Sequence, residues 1–170
     1  MKKLIALFAG LFLMTIATQN VIAQNPIASA TANSSATIIQ PISIVKVEGK
    51  DLLFGNIIAS AAGGSVVIAT TGTPTLTGVA APSVPGTRQA ATFTVTGMAG
   101  VTYAITLPAS TNLTSGGNTM TVDNFLSDPN GTGLLTGGTQ TLNVGAKLNV
   151  GPAQPAGTYT GSFAVTVGYN

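Results

Sequence analysis

The strictest constraint on this chain is an alternation close to its C-terminal end. In Gly157-Thr-Tyr-Thr-Gly-Ser-Phe-Ala-Val-Thr-Val-Gly-Tyr-Asn170, one parity holds Tyr159, Gly161, Phe163, Val165, Val167 and Tyr169. Thr160, Ser162, Ala164, Thr166 and Gly168 occupy the other. Successive Cβ atoms of a strand point to opposite faces, so a period of two specifies a half-buried strand. No tail follows Asn170, so the end of this core strand is expected to lie within reach of another protein.

The same period recurs upstream. Residues 36–47 hold Ile38, Ile42 and Ile44 on one parity, and Pro41 marks them as an edge strand or a strand switch. Residues 52–58 are a compact apolar run broken by Gly55, residues 65–69 a short strand after Gly63-Gly64, and residues 75–80 a weaker one. Residues 89–96 set Ala91, Phe93 and Val95 inward, and residues 101–107 do the same with Val101, Tyr103, Ile105 and Leu107. The turn at 97–100 between them predicts a hairpin. Residues 119–125 follow Gly116-Gly117, with a parity change between Val122 and Phe125 that predicts a bulge or the end of a ladder. Residues 140–150 place Leu142, Val144, Ala146, Leu148 and Val150 on one face. About eight or nine short strands with Gly/Pro turns and no helical period predict an all-β, two-sheet antiparallel sandwich, with a closed barrel as the alternative. No repeat of fixed period suggests a solenoid or propeller.

The N-terminal end reads as an export signal. Met1-Lys-Lys is a basic n-region, residues 4–17 are an apolar h-region too short to span a bilayer, and Val21-Ile-Ala23 is a small-residue cleavage site. The expected organisation is a signal peptide over 1–23, an N-terminal extension over 24–39 and a sandwich domain over 40–170. Lys2 and Lys3 leave with the signal, so Lys46, Lys50, Arg88 and Lys147 balance Glu48, Asp51, Asp123 and Asp128. A mature chain of zero net charge offers no basic patch to nucleic acid or anionic lipid. It also lacks the self-repulsion that keeps identical copies apart, which favours assembly. The expected location is the periplasm, then the cell surface or medium of a bacterium, without membrane insertion after cleavage.

The chemistry available is narrow. The chain has no His and no Cys, so histidine-based triads, thiolate nucleophiles, ordinary zinc sites and disulfides are excluded. Asp123 and Asp128 flank one loop, in separate turns, and make a poor glycosidase pair. Asp128-Pro-Asn-Gly-Thr-Gly133 has too few carboxylates for a calcium loop and reads as a turn. The paired glycines lack the Lys-Ser/Thr partner of a phosphate loop. No catalytic, cofactor or metal residue is assigned, and the expectation is a protein that is not an enzyme.

Several segments carry a family resemblance. They are Ala36-Thr-Ile-Ile-Gln-Pro-Ile-Ser-Ile44, Asp51-Leu-Leu-Phe-Gly-Asn-Ile57, Asn118-Thr-Met-Thr-Val-Asp-Asn-Phe125, Gly138-Thr-Gln-Thr-Leu-Asn-Val-Gly-Ala-Lys-Leu-Asn-Val-Gly151 and the closing residues 156–170. In this order they resemble the uncharacterised bacterial domain-of-unknown-function family 4402. That family has no established activity, so the resemblance supplies class rather than function. More distantly, the chain end resembles that of chaperone–usher pilins, with Gly157 fourteen residues from the end and Tyr169 as the penultimate aromatic. The absence of a disulfide departs from the commonest pilin type and is compatible with the alternate-chaperone, colonisation-factor type. This resemblance implies an immunoglobulin-like sandwich lacking its last strand. It also implies that Gly157, Tyr159, Gly161, Phe163, Val165, Val167 and Tyr169 line the strand that pairs with a chaperone and then with the next subunit. The physics is β-augmentation, in which main-chain bonds give affinity and alternate side chains fill pockets.

A donor strand needs alternating apolar positions. Ala28, Ala30, Ala32, Ala36 and Ile38 share a parity, with Ser34 as a gap, and Ala36 and Ile38 are the better pocket fillers. The other reading makes this segment the protein's own first strand or a loose terminus. The expected function is a structural subunit of a surface fibre, with identical or related subunits, a periplasmic chaperone and an outer-membrane usher as partners. The alternative is a self-complete secreted sandwich acting as an adhesin or binding module through loops 108–117 or 127–138.

Overall fold

The computed structural model describes residues 27–170. The chain divides into two units, Met1–Ala36 and Thr37–Asn170. Within the first, residues 27–36 are exposed and carry neither helix nor strand. The export signal and its cleavage site lie outside the described residues. The division falls three residues before the expected start of the sandwich at 40, and the first strand begins at Ser43.

The second unit is all-β and antiparallel, consistent with a sandwich. Its strands are β1 (Ser43–Lys46), β2 (Leu53–Phe54), β3 (Gly64–Ile68), β4 (Pro74–Thr77), β5 (Arg88–Gln89) and β6 (Ala91–Thr96). They continue with β7 (Thr102–Thr106), β8 (Ser110–Ser115), β9 (Asn118–Asp128), β10 (Thr132–Leu134), β11 (Thr139–Val150) and β12 (Thr166–Tyr169). Seven strands form the large sheet, three form a second sheet in the order β10-β7-β12, and β2 pairs β5 alone.

Strand β11 organises the large sheet. Its first half pairs β6, from Thr139↔Thr96 to Val144↔Ala91. Its second half pairs β3 on that same edge, from Ala146↔Ile68 to Val150↔Gly64. β9 runs along the other edge and β8 pairs the far side of β9. Gly145 sits where β6 gives way to β3. A Cβ there would collide with the Ile68 carbonyl, so only glycine lets the two strands share one edge.

Leu142, Val144, Ala146, Leu148 and Val150 are all buried, as the alternation of β11 requires. They feed two cores. Leu142 and Val144 pack with Ala91, Val95, Tyr103 and Leu135, roofed by the β10-β7-β12 sheet. Ala146, Leu148 and Val150 pack with Val66, Ile68, Met120, Val122 and Phe54.

The structure corrects several expectations. Residues 89–96 and 101–107 do not form a hairpin: β6 pairs β1 and β11, while β7 pairs β10 and β12 in the other sheet. The turn at 97–100 is therefore a corner between layers, which alternation on either side cannot distinguish from a hairpin. Residues 108–117 and 127–138, read as loops, contain β8 and β10. Their Thr, Ser, Asn and Gly content hid them. The β9 irregularity is a bulge and not a ladder end: the register slips opposite Gly145–Lys147, Asn124 has φ 49°, and the strand continues to Asp128. Asp123 and Asp128 accordingly lie on one strand rather than in separate turns. Only Ser43–Lys46 of the expected 36–47 strand forms, at a sheet edge, and Ile38 is 98% exposed.

Candidate functional site

The two cores differ in what covers them. Among the described residues, no continuous sheet forms the opposing layer over the second half of β11. Two separate segments lie there instead, and between them runs a groove of 1170 Å³. Its floor is apolar: Met120 and Val122 from β9, Leu148 and Val150 from β11, and Leu113 from β8. Residues 51–59 form one wall and residues 154–163 the other.

Each wall is tied to the body on its outer side. On the first wall, Asn56 N–H donates to the Pro85 carbonyl (2.6 Å), and Ile58 and Ala80 exchange main-chain bonds (2.8 and 3.1 Å). Arg88 donates from Nε to the Phe54 carbonyl (3.1 Å) and from Nη2 to the Asn56 carbonyl (2.8 Å). On the second wall, Thr160 and Thr114 exchange main-chain bonds (2.9 and 3.1 Å), and Thr111 Oγ1 donates to the Ser162 carbonyl (2.8 Å). Gln154 donates to the Tyr159 hydroxyl (2.8 Å), which donates to the Pro155 carbonyl (2.9 Å).

Alternation then fixes the inner sides. Main-chain groups of an extended segment point to opposite edges at successive residues. Asn56 and Ile58 point outward, so Ile57 and Ala59 point into the groove. Thr160 and Ser162 point toward β8, so Tyr159, Gly161 and Phe163 point into the groove from the other side. None of these five residues has a main-chain partner among the described residues. Unpaired main-chain groups on both sides of an apolar floor are what an added β-strand satisfies.

The inner end of the groove is closed by aromatics. Phe163 meets Phe125 at 5.0 Å and Phe93 edge-on at 6.3 Å between ring centroids. Beyond them the C-terminal segment joins the second sheet as β12, beside β7. Here Tyr169 donates its hydroxyl proton to the Gln40 carbonyl (2.7 Å) and accepts from Met98 N–H (2.7 Å). A Cβ on Gly97 would occupy the space of that hydroxyl.

The seven C-terminal residues, six singled out by alternation and Gly157 by the pilin-like chain end, thus divide. Gly157, Tyr159, Gly161 and Phe163 line the groove. Val165, Val167 and Tyr169 pack against the other core. Tyr159, Phe163, Val165, Val167 and Tyr169 are half-buried, but the alternation breaks at Gly161, which is exposed, and at Gly168, which is half-buried, and only Thr166–Tyr169 forms a ladder. Gly161 is placed by contact, since a Cβ there would press on the Asn112 carbonyl. Ala28, Ala30, Ala32 and Ala36 are exposed, and Ile38 is nearly fully so. Ile38 does not line the groove.

Sequence reasoning missed the first wall, Arg88 and Gln154. The apolar run at 52–58 was visible as a strand, but nothing in it says that its inner main chain is unpaired. Gln154, between prolines, carries no signal at all. Among the described residues no cluster of three potential metal ligands occurs. Asp123 Oδ2 accepts a bond from Asn149 (2.9 Å) within the sheet.

Comparison with protein families matches residues 42–169 to the family described as a domain of unknown function, DUF4402. The chain belongs to that family. No curated protein and no solved structure matches it.

Proposed function

We propose that this chain is a structural subunit of a bacterial cell-surface fibre and assembles by β-strand addition. The observation that carries this reading is the groove with unpaired main chain on both walls and an apolar floor. In this reading the unit is an immunoglobulin-like sandwich short of one strand in its second layer. An extended segment with apolar side chains at every second residue satisfies the walls and covers Met120, Val122, Leu148 and Val150 together. The signal-like N-terminus and the near absence of charge fit an exported subunit that packs against its own kind. A periplasmic chaperone and an outer-membrane usher are the partners such a subunit needs, because an open groove invites aggregation in transit.

The test is electrophoresis of the mature full-length protein, unheated and boiled, alongside size-exclusion chromatography. The expected result is a ladder that collapses to monomer on boiling. Ile38→Asp is expected to abolish the ladder while circular dichroism remains that of the folded sandwich. A clean monomer at every concentration, unfolding reversibly in one step, sinks the fibre reading.

A further inference from the structure

We infer that Asn130 is a self-modification site, at which the chain exchanges its side-chain amide for a carboxylate with water as the only co-reactant. The motif Asp128-Pro-Asn-Gly-Thr-Gly133 takes no part in the groove, and it holds the single Asn-Gly step of the chain. In the fold it is the connection from β9 to β10. Asn130, Gly131 and Thr132 are all exposed. Thr132 N–H donates to the Asn130 carbonyl (2.7 Å) with Gly131 between them at φ 68°, which closes a three-residue turn. Gly131 N–H has no main-chain partner among the described residues, and the space where a Cβ of residue 131 would stand is open. An amide carbon and an unbonded, unhindered nitrogen therefore share one wet turn.

Hydroxide removes the Gly131 N–H proton, and the nitrogen attacks Asn130 Cγ. The Cγ–Nδ2 bond breaks, ammonia leaves with a proton from water, and a five-membered succinimide ring remains. Water then opens the ring at either carbonyl. One opening gives aspartate, the other isoaspartate, whose main chain runs through Cβ and Cγ. The strand asparagines lack this access. Asn112, Asn118, Asn124, Asn143 and Asn149 lie in β8, β9 and β11, and each precedes a Leu, Thr, Phe or Val that crowds the attacking nitrogen. The consequence falls on β10, an edge strand of the second sheet. The Gly131 carbonyl accepts Ile105 N–H (2.8 Å), just ahead of the Thr132↔Ala104 pair. An extra methylene at residue 130 displaces that carbonyl from Ile105. The new carboxylate charges the approach to the edge, where charge discourages pairing with another chain. This modification is independent of what fills the groove.

The test holds the mature full-length protein at neutral and at mildly alkaline pH and follows it by isoelectric focusing, ammonia release and tandem mass spectrometry. The expected result is an acidic shift of one charge, located at Asn130, faster at the higher pH, with isoaspartate among the products. Asn130→Gln, whose longer side chain would have to close a six-membered ring, is expected to lose the shift with the fold intact. Gly131→Asp keeps a residue that tolerates left-handed backbone and crowds the nitrogen, and is expected to slow the conversion. Exchange of the Ile105 amide is expected to quicken in the aged protein but not in Asn130→Asp, which adds the charge without the methylene. An Asn130 that stays intact in the folded protein while the urea-unfolded chain converts overturns the inference, and so does earlier conversion at another asparagine. Unchanged Ile105 exchange in the isoaspartate form overturns the consequence for β10.

Discussion

The two halves of β11 receive opposite treatment. From Thr139 to Val144 its inner face lies beneath a hydrogen-bonded sheet, and the core there contains a fully buried tyrosine. From Ala146 to Val150 the same face, with the same alternation, lies beneath two segments that bond outward along the groove and are joined only at its end, where Ala153 N–H donates to the Ser60 carbonyl (2.9 Å). The sequence of the strand is equally apolar throughout. The difference therefore resides in the covering layer, and it shows that an apolar strand face records burial without recording who supplies the cover.

The largest expected effect breaks the closed half. Tyr103 is 0% exposed, and its hydroxyl donates to Gln140 Oε1 (2.9 Å), which also accepts Leu134 N–H (2.9 Å). Tyr103→Ala removes a large core side chain and is expected to cost about 4 kcal/mol in urea unfolding of the monomer. Next comes the open half. Arg88→Ala releases the Phe54 and Asn56 carbonyls together and is expected to cost about 2 kcal/mol. Hydrogen exchange is expected to quicken at Asn56 and Ile58 while β6 and β7 stay protected. Uniform loss of protection would show that the halves do not open separately.

Tyr169→Phe keeps the ring and removes a hydroxyl that serves two main-chain groups. It is expected to lower stability by about 1 kcal/mol, with the change in exchange confined to residues 40–46 and 97–98. The smallest effect is a pH dependence. Burial raises the Tyr103 phenol above its ordinary value. The unfolded chain then loses this proton more readily than the folded one. The Tyr103 contribution is intact below about pH 10 and is lost as pH climbs through the raised folded value. Tyr103→Phe is expected to flatten that alkaline decline in a melting-temperature series, and an identical decline in both proteins would assign it elsewhere.

The family, the all-β class and the inward residues of β6, β7 and β11 were legible because period-two alternation is a local property. Residues 42–169 carry the family match, and that span contains every strand of the described residues. Pairing was not legible in the same way. The turn at 97–100 looks the same whether the chain folds back in one sheet or crosses to another. β8, as Ser-Thr-Asn-Leu-Thr-Ser, has only Leu113 as a large apolar residue and is a strand because β9 lies beside it. The groove was half legible. Tyr159, Gly161 and Phe163 stood out by their spacing, and Gly157 by the resemblance of the chain end to that of pilins. The opposing wall depends on Arg88 and on pairings with residues 80–89, more than twenty positions away in sequence.

The anchoring of β1 has a mechanical consequence. Four residue pairs join β1 to β6, all perpendicular to the strand, and the Tyr169–Gln40 bond stands just ahead of them. A pull on the chain before residue 40, directed along β1, reaches the tyrosine bond and then strains all four pairs at once. They resist in shear rather than opening one after another like a zip. Tension entering at the N-terminal side is thereby divided between the first strand and the last, which meet at one phenol.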